Sequence, residues 1–388
     1  MIECLIDHGD SNLVHGRFIW QNSPDNKNSN IDYIIEIPDD YLKSYLERFI
    51  QDWSAGKVRV IFMNNNMSVP LFRKHLLQHL QQMKKSKQVT LANTKDTVLP
   101  KEHHGSGNTP LILTCYDGYT DMVHWLLHND VDVDQWRDDG VTGLYMACQE
   151  GHNDIVKLLL ERNPNVDLCD KDGFTPLIRA CIRNYISIVQ MLIKNKPNIN
   201  AQTYDGGNAL YFSALNGNIE IMQLLLENNA DCNICGYKKQ YVIDTITNHS
   251  WKTLENVKKN IYESLVKKAS PHVADYISKK SVDFVFDVDA GSSPLHIACF
   301  MGKIDIVSCL LDHNADINMT KEDGSSPLCF ACEVGHEDIV CLLLDKGADT
   351  QICRLDGESP LKIATDNGHA SIEIVLKNHT KKEDKRSF

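Results

Sequence analysis

Gly324-Ser325-Ser326-Pro327-Leu328-Cys329-Phe330-Ala331-Cys332-Glu333-Val334-Gly335-His336-Glu337-Asp338-Ile339-Val340-Cys341-Leu342-Leu343-Leu344 is the stretch on which the fold turns. Ser326 offers a hydroxyl that caps a helix start, and Pro327 fills the first helical position, where no backbone donor is needed. A short helix then runs to Gly335, which suits a left-handed C-cap, and Ile339, Val340, Leu342, Leu343 and Leu344 carry the apolar period of a second helix. The unit recurs. Gly107, Gly140, Gly173 and Gly206 stand 33 residues apart, as do Gly291, Gly324 and Gly357, and a fixed period of that length means stacked supersecondary units.

The same start returns as Thr109-Pro110-Leu111, Thr175-Pro176-Leu177, Ser293-Pro294-Leu295 and Ser359-Pro360-Leu361. Second glycines follow at Gly118, Gly151, Gly217, Gly302 and Gly368, and Ile155, Val156, Leu158, Leu159 and Leu160 repeat the second helix. Loops close as Asn229-Ala230-Asp231-Cys232-Asn233, Asn314-Ala315-Asp316-Ile317-Asn318 and Gly347-Ala348-Asp349. On these residues the chain resembles the ankyrin-repeat family over about 104–379, and the resemblance implies a β-turn, two antiparallel helices and a loop in each unit. Only Ser293-Pro294-Leu295-His296 keeps the family's histidine, and Thr142-Gly143 and Asn208-Ala209 lack the proline, which puts helix-start stability there in question.

Between Gly206 and Gly291 lie 85 residues, read as two periods of 33 with a surplus of 19. Asp283 stands eight residues before Gly291, as Asp316 and Asp349 stand before their own glycines, and Leu254, Val257, Ile261 and Leu265 are helically spaced. The expectation is an all-α solenoid of eight units, one expanded by a helix near 251–268 that Ser270-Pro271 closes. It divides into 104–235 (units one to four), 236–287 (degenerate, with the insertion) and 288–379 (units six to eight, with a polar cap), followed by a basic tail at 380–388. A solenoid buries apolar surface only between neighbours, so its ends must be polar, as Glu373, Lys377 and His379 make the last.

Upstream, 1–83 reads as a small α/β, winged-helix-like domain. Tyr33–Ile37 and Val58–Met63 are strand candidates, Leu42, Leu46, Phe49, Ile50 and Trp53 form one helix face, and Ser68 with Pro70 opens another helix. Residues 84–103, rich in lysine, read as a polar linker. Ile37-Pro38-Asp39-Asp40-Tyr41 through Leu46-Glu47-Arg48, then Val60-Ile61-Phe62 and Phe72-Arg73, look like the segment after the nucleotide-binding core of some invertebrate STAND-type NTPases with ankyrin arrays. That resemblance implies the regulatory or sensing portion of a signalling NTPase. The chain itself has no Gly-x-x-x-x-Gly-Lys-Ser/Thr, and Gly56-Lys57 precedes Val58, so no phosphate-cradling loop is read.

Composition narrows the function. With 42% hydrophobic and 24% charged residues the chain is an ordinary globular sequence, and no apolar run approaches the ~18 residues of a membrane span. The net charge of −12 argues against nucleic acid or an anionic membrane as main partner. Thirteen cysteines without a recognisable secretory signal suggest reduced thiols in the cytoplasm or nucleus. Cys232-x-x-Cys235 lacks the second pair that a zinc site needs. Cys115, Cys148, Cys181, Cys299 and Cys332 each lie eight residues after their glycine, which suits small buried hydrophobes. His103-His104 reads as solvated, and His152, His336 and His369 follow helix-end glycines and read as structural. No catalytic motif, cofactor site or metal site emerges, so an enzyme in the first hundred residues has no support.

Recognition remains, by a monomer unless the N-terminal segment associates. The ankyrin resemblance places variable contacts at turn tips and at first-helix ends on the concave face. Those positions are Asp138, Val141, Lys171, Phe174, Tyr204 and Glu322 at tips, and Tyr116, Asp117, Gln149, Glu150, Ile182, Arg183, Leu215, Asn216, Phe300, Met301, Glu333 and Val334 at helix ends. Tyr116, Phe174, Ile182, Tyr204, Leu215 and Phe300 are more apolar than solvent-facing places require, which suits a protein-binding hot spot. The expected function is a non-catalytic scaffold or adaptor, with Tyr116→Ala and Phe300→Ala each costing about 1–2 kcal/mol of partner affinity. The resemblance also implies hydroxylation of loop asparagines such as Asn200, Asn233 or Asn318.

Overall fold

The structure, a computed structural model, describes residues 39–97, 107–247 and 253–386. The strand expected at Tyr33–Ile37 and the pair His103-His104 lie outside them. The chain divides into two compact units, Met1–Asp170 and Lys171–Phe388. Among the described residues the elements are helices, with two isolated bridges, Trp136 to Thr142 and Gln202 to Asn208.

In the first unit, helix Asp39–Ser54 buries Leu46, Phe49, Ile50 and Trp53 on one face. The segment Val58–Met63 is not a strand but begins with helix Val58–Phe62. Its β-branched residues favour strands locally, yet Val58, Ile61 and Phe62 have the i, i+3, i+4 spacing of one helix face, and all three are buried while Val60 is exposed. Phe62 meets Trp53 edge-on with ring centres 4.9 Å apart, so packing overrides the local preference. The linker expectation also gives way in part. Lys85–Ala92 forms a helix because Leu91 and Ala92 are buried beneath a lysine-rich exterior. Lys85 Nζ donates to Asn129 Oδ1 at 2.8 Å, Arg73 pairs with Asp121 at 2.9 Å, and Trp53 packs on Trp125 at 6.0 Å. Helices, rather than an α/β fold, therefore cover the first repeat over the described part of 1–83.

Two helix pairs follow in this unit, Pro110–Asp117 with Thr120–Leu127 and Gly143–Glu150 with Asn153–Leu160. The second unit holds five more, opening at Pro176, Ala209, Pro294, Pro327 and Pro360. The missing prolines cost no cap: Thr142 Oγ1 accepts from the Tyr145 N–H at 3.2 Å, and Asn208 Oδ1 from the Tyr211 N–H at 2.8 Å. Gly302 at φ 70° ends its helix left-handed, and a Cβ there would sit 2.5 Å from the His336 imidazole. That ring donates from Nε2 to the Phe300 carbonyl at 3.1 Å.

The expanded unit requires correction. Asn200 Oδ1 accepts from the Asp231 N–H at 3.0 Å and Asn318 Oδ1 from the Asp349 N–H at 2.9 Å, each across 31 residues, which is the regular link between successive loops. Asn233 makes the same link to the Asp316 N–H at 2.8 Å, but across 83 residues. The Gly236 N–H donates to the Ser292 carbonyl at 2.9 Å, and the Gly291 N–H to the Tyr237 carbonyl at 3.1 Å. The repeat opened by Gly206 thus stacks directly on the one opened by Gly291. The 85-residue interval is one period of 33 plus 52 inserted residues, and the degenerate fifth of the eight expected units drops out of the stack. Asp283, which had suggested register, is exposed and paired with Lys258 at 2.5 Å.

The insert contains helices Lys239–Thr247, Leu254–Lys268, Pro271–Ser278 and Val282–Asp289, the second of which matches the helix expected near 251–268. Val242, Ile246, Val257 and Phe286 form its own small core, against which Tyr204 and Tyr237 pack.

Candidate binding surface

Helix Pro271–Ser278 of the insert lies over the first-helix ends of the next two repeats. Val273 and Ile277 are fully buried. The Tyr276 ring meets Phe300 edge-on at 6.2 Å, and its hydroxyl donates to Glu333 Oε1 at 3.0 Å. His272 Nε2 lies 2.8 Å from the Val334 carbonyl, which only accepts, so that nitrogen carries the proton. Arg354 closes the other side of Glu333 with a guanidinium bond to Oε2, and its Nε donates to Ser325 Oγ at 2.9 Å. A buried carboxylate without these partners would be strongly unfavourable.

Phe300, Met301, Glu333 and Val334 are therefore not open partner contacts, as all four are buried. The chain's own helix occupies the place that a partner was expected to fill. Val141 and Leu215 are also buried, at 3% and 2% exposure. Val141 lies in the turn just before the Thr142 cap, where its side chain is core rather than tip.

The other expected positions keep solvent access. In the first unit Tyr116 is 45% exposed and Asp138 is exposed, while Asp117, Gln149 and Glu150 are half-buried. Burial raises the Asp117 carboxyl above its usual range, and His152 draws it back. Gln149 Nε2 donates to Glu150 Oε1 at 2.8 Å. Trp136, which sequence reasoning passed over, is 57% exposed beside the Asp138 turn. Its signal was available, since a tryptophan three residues before a turn-tip Asp139 has no repeat partner at that register.

In the second unit Lys171, Arg183 and Glu322 are exposed, Glu322 facing Lys238 at 3.2 Å, and Ile182 and Asn216 are half-buried. Asn216 Nδ2 donates to the Ile182 carbonyl at 3.2 Å. The structure brings Phe174, Tyr204 and Leu215 together in the wall of a partly open cavity of about 230 Å³. Phe212 and Phe174 lie 5.7 Å apart, and the Arg179 guanidinium covers the Phe174 ring at 3.9 Å. The opposite wall comes from insert helix Leu254–Lys268.

Asp205 and Asp289 also line this cavity. Tyr211 donates its hydroxyl proton to Asp289 Oδ1 at 2.5 Å, and Asp205 Oδ1 accepts from the Thr203 hydroxyl and from the Gly207 N–H at 3.3 Å. Burial, then repulsion from Asp205, pushes the Asp289 carboxyl up to about 6. Burial likewise lowers the Lys268 ammonium to about 8, against the attraction of Asp289.

The cysteine chemistry is quiet. Cys115, Cys148, Cys181, Cys299 and Cys332 are buried, and burial raises each thiol, Cys181 to about 12. Cys232 Sγ reaches the His313 carbonyl at 3.4 Å and Cys235 Sγ the Met319 sulfur at 3.2 Å, contacts between neighbouring loops. Among the described residues no group of three His, Cys, Asp or Glu side chains is placed to hold a metal, and no helix is long and apolar enough to cross a membrane. Asn200, Asn233 and Asn318 spend their side-chain oxygens on the loop ladder.

The family-model comparison agrees with the repeat geometry. The family model for ankyrin repeats (3 copies) matches residues 74–170, 144–234 and 257–353. No curated protein matches. A crystal structure of the human ASB11 ankyrin repeat domain is similar at 22% identity, covering 70% of this chain and 98% of that one, with a TM-score of 0.49.

Proposed function

The chain belongs to the ankyrin-repeat family, and from that premise we propose that it is a non-catalytic adaptor or scaffold that holds a protein partner. The observation that carries this reading is the exposed aromatic pair of the first unit, Tyr116 at a first-helix end and Trp136 beside a turn tip. Large aromatic side chains left in water amid polar neighbours gain most from burial in an interface, and a rigid repeat scaffold lowers the ordering cost of association. Acidic Asp117, Asp138 and Glu150 occupy the adjoining register positions and suit a partner with basic character.

The test uses the full chain as bait in cell extract, compared with Tyr116→Ala and Trp136→Ala, followed by titration of the recovered partner. Each substitution is expected to weaken binding about 5–30-fold while leaving the melting curve in place. A partner that binds both variants and their combination as tightly as the parent removes this surface.

A further inference from the structure

The cavity between the second unit's repeats and the insert has a wall that the regular repeat lacks. Phe174, Tyr204 and Phe212 line it from the repeats, and helix Leu254–Lys268 faces them with Val257, Ile261 and Leu265. That helix stands there because 52 residues intervene between Gly206 and Gly291 beyond one period. Its lining positions 257, 260, 261, 264 and 265 make one helical face, so Asn260 and Ser264 share the wall with three aliphatic neighbours. The charged groups of the lining are committed to the fold. Asp289 Oδ1 accepts from the Tyr211 hydroxyl at 2.5 Å and is attracted by Lys321 and Lys268, while Asp205 Oδ1 accepts from the Thr203 hydroxyl and from the Gly207 N–H at 3.3 Å. Asn260 and Ser264 differ, because neither side chain makes a hydrogen bond among the described residues.

Size and polarity together choose the occupant. Sites for drug-sized ligands run from about 300 to 1,000 Å³ and an apolar cavity of about 150 Å³ takes up benzene, so a space of about 230 Å³ suits one small ring system. Aromatic walls meet such a ring edge-on or in offset stacks, and an indole N–H taken out of water needs an acceptor, which Asn260 Oδ1 and the Ser264 hydroxyl can supply. We propose that this cavity binds one neutral indole-type ring, set between the aromatic wall of the repeats and Ile261, with its N–H directed to the edge formed by Asn260 and Ser264. The same chemistry comes from two sources, a free small molecule or the tryptophan side chain of a bound protein. The site stands on its own geometry and does not rest on the surface of Tyr116 and Trp136.

The experiment follows the fluorine resonance of 5-fluoroindole as the full chain is added, with indole, benzothiophene and the peptide Gly-Gly-Trp-Gly-Gly as unlabelled competitors. The resonance is expected to shift and broaden, and indole to displace the probe. Benzothiophene, which has the same fused rings with sulfur in place of the N–H, should compete at least tenfold more weakly. Ser264→Phe, which fills the cavity from the insert, should abolish binding. Asn260→Leu combined with Ser264→Ala keeps the space and removes both acceptors, and should bring indole down to the level of benzothiophene even if Ser264→Phe folds poorly. A peptide that competes better than indole supports the site and assigns the ring to a protein partner, and a weaker one supports it and assigns a free molecule. No response of 5-fluoroindole, equal competition by benzothiophene and indole, or binding unchanged in folded Ser264→Phe overturns the proposal. Capture of a partner that depends on Tyr116 and Trp136 is read separately, so the failure of the cavity and the failure of the recognition module are distinguishable.

Discussion

His296 is the most informative single residue for stability. It is fully buried, shares hydrogen bonds with Ser293 at its helix start, and places Nε2 3.2 Å from the Ser325 carbonyl. Burial and then Lys321 hold its imidazole down at about 3, so the folded chain keeps it neutral where the unfolded chain, with an ordinary value of 6.5, is protonated. Below pH 6.5 the unfolded state therefore binds the extra proton, and this residue removes about 1.4 kcal/mol of stability for each pH unit of acidification down to about 3. His336, lowered chiefly by burial, acts with the same sign. Asp289 acts in the opposite sense, because its folded value of about 6 makes the native state take up a proton between pH 6 and 3.8. His296→Gln should be less stable than the parent at pH 7.5 by about 1–3 kcal/mol, yet lose less stability between pH 6.5 and 4.5. Urea unfolding at both pH values checks this, and parallel pH profiles would refute it. Tyr276 offers a second prediction: Tyr276→Phe leaves buried Glu333 short of one donor and should cost about 1–3 kcal/mol at neutral pH by the same measurement.

Helix Pro271–Ser278 is where element-scale packing changes what a residue means. Phe300 at a first-helix end carried the expectation of a partner contact, but beneath Tyr276 and beside Phe330 it is core. Phe300→Ala should cost about 3–5 kcal/mol of stability, seen as a lowered denaturant midpoint, instead of a selective loss of affinity. Val273→Asp addresses the helix itself. A charge at that fully buried position should undock the segment, and amide exchange over 271–278 should rise at least tenfold while helices Pro110–Asp117 and Gly143–Glu150 keep their protection. Unchanged exchange would show that the helix is held by something other than this face.

These cases show what was legible. The seven helix pairs could be read because a hydroxyl cap, a proline and a left-handed glycine each have one backbone role at a fixed position. The insert could not, since 85 residues fit two periods with a remainder as well as one period with a larger remainder, and it takes contacts of the folded chain, Asn233 with Asp316 and Gly236 with Ser292, to decide between them. Tyr116 and Phe300 were read alike from the register, yet Tyr116 is exposed and Phe300 is buried, because periodicity gives a face and says nothing of what covers it.

At the scale of the whole molecule, the five register cysteines make each of their repeats report on itself. Cys115, Cys148, Cys181, Cys299 and Cys332 sit one to a repeat, buried against the neighbouring helix pair, and burial raises every one of their thiols. Alkylation needs the thiolate and access to it, so these sites react only when neighbouring repeats part. Cys169 and Cys353 are exposed at turn positions. In iodoacetamide at pH 7.5, mapped by mass spectrometry, Cys353 and Cys169 should be modified within minutes and the five register thiols at least a hundredfold more slowly. Because a repeat stack is stabilised by nearest-neighbour interfaces, urea below the unfolding midpoint should release the protected thiols in an order set by which interfaces open first. Cys299 and Cys332 should be the last of the second unit to react, since the insert's helix Pro271–Ser278 covers Phe300 and Glu333, the residues next to them in sequence, in addition to the ordinary repeat contacts. With Val273→Asp that extra delay should vanish, and Cys299 and Cys332 should react together with Cys181; a Cys299 and Cys332 that stay slowest in the variant would mean that the insert contributes nothing to holding these repeats closed.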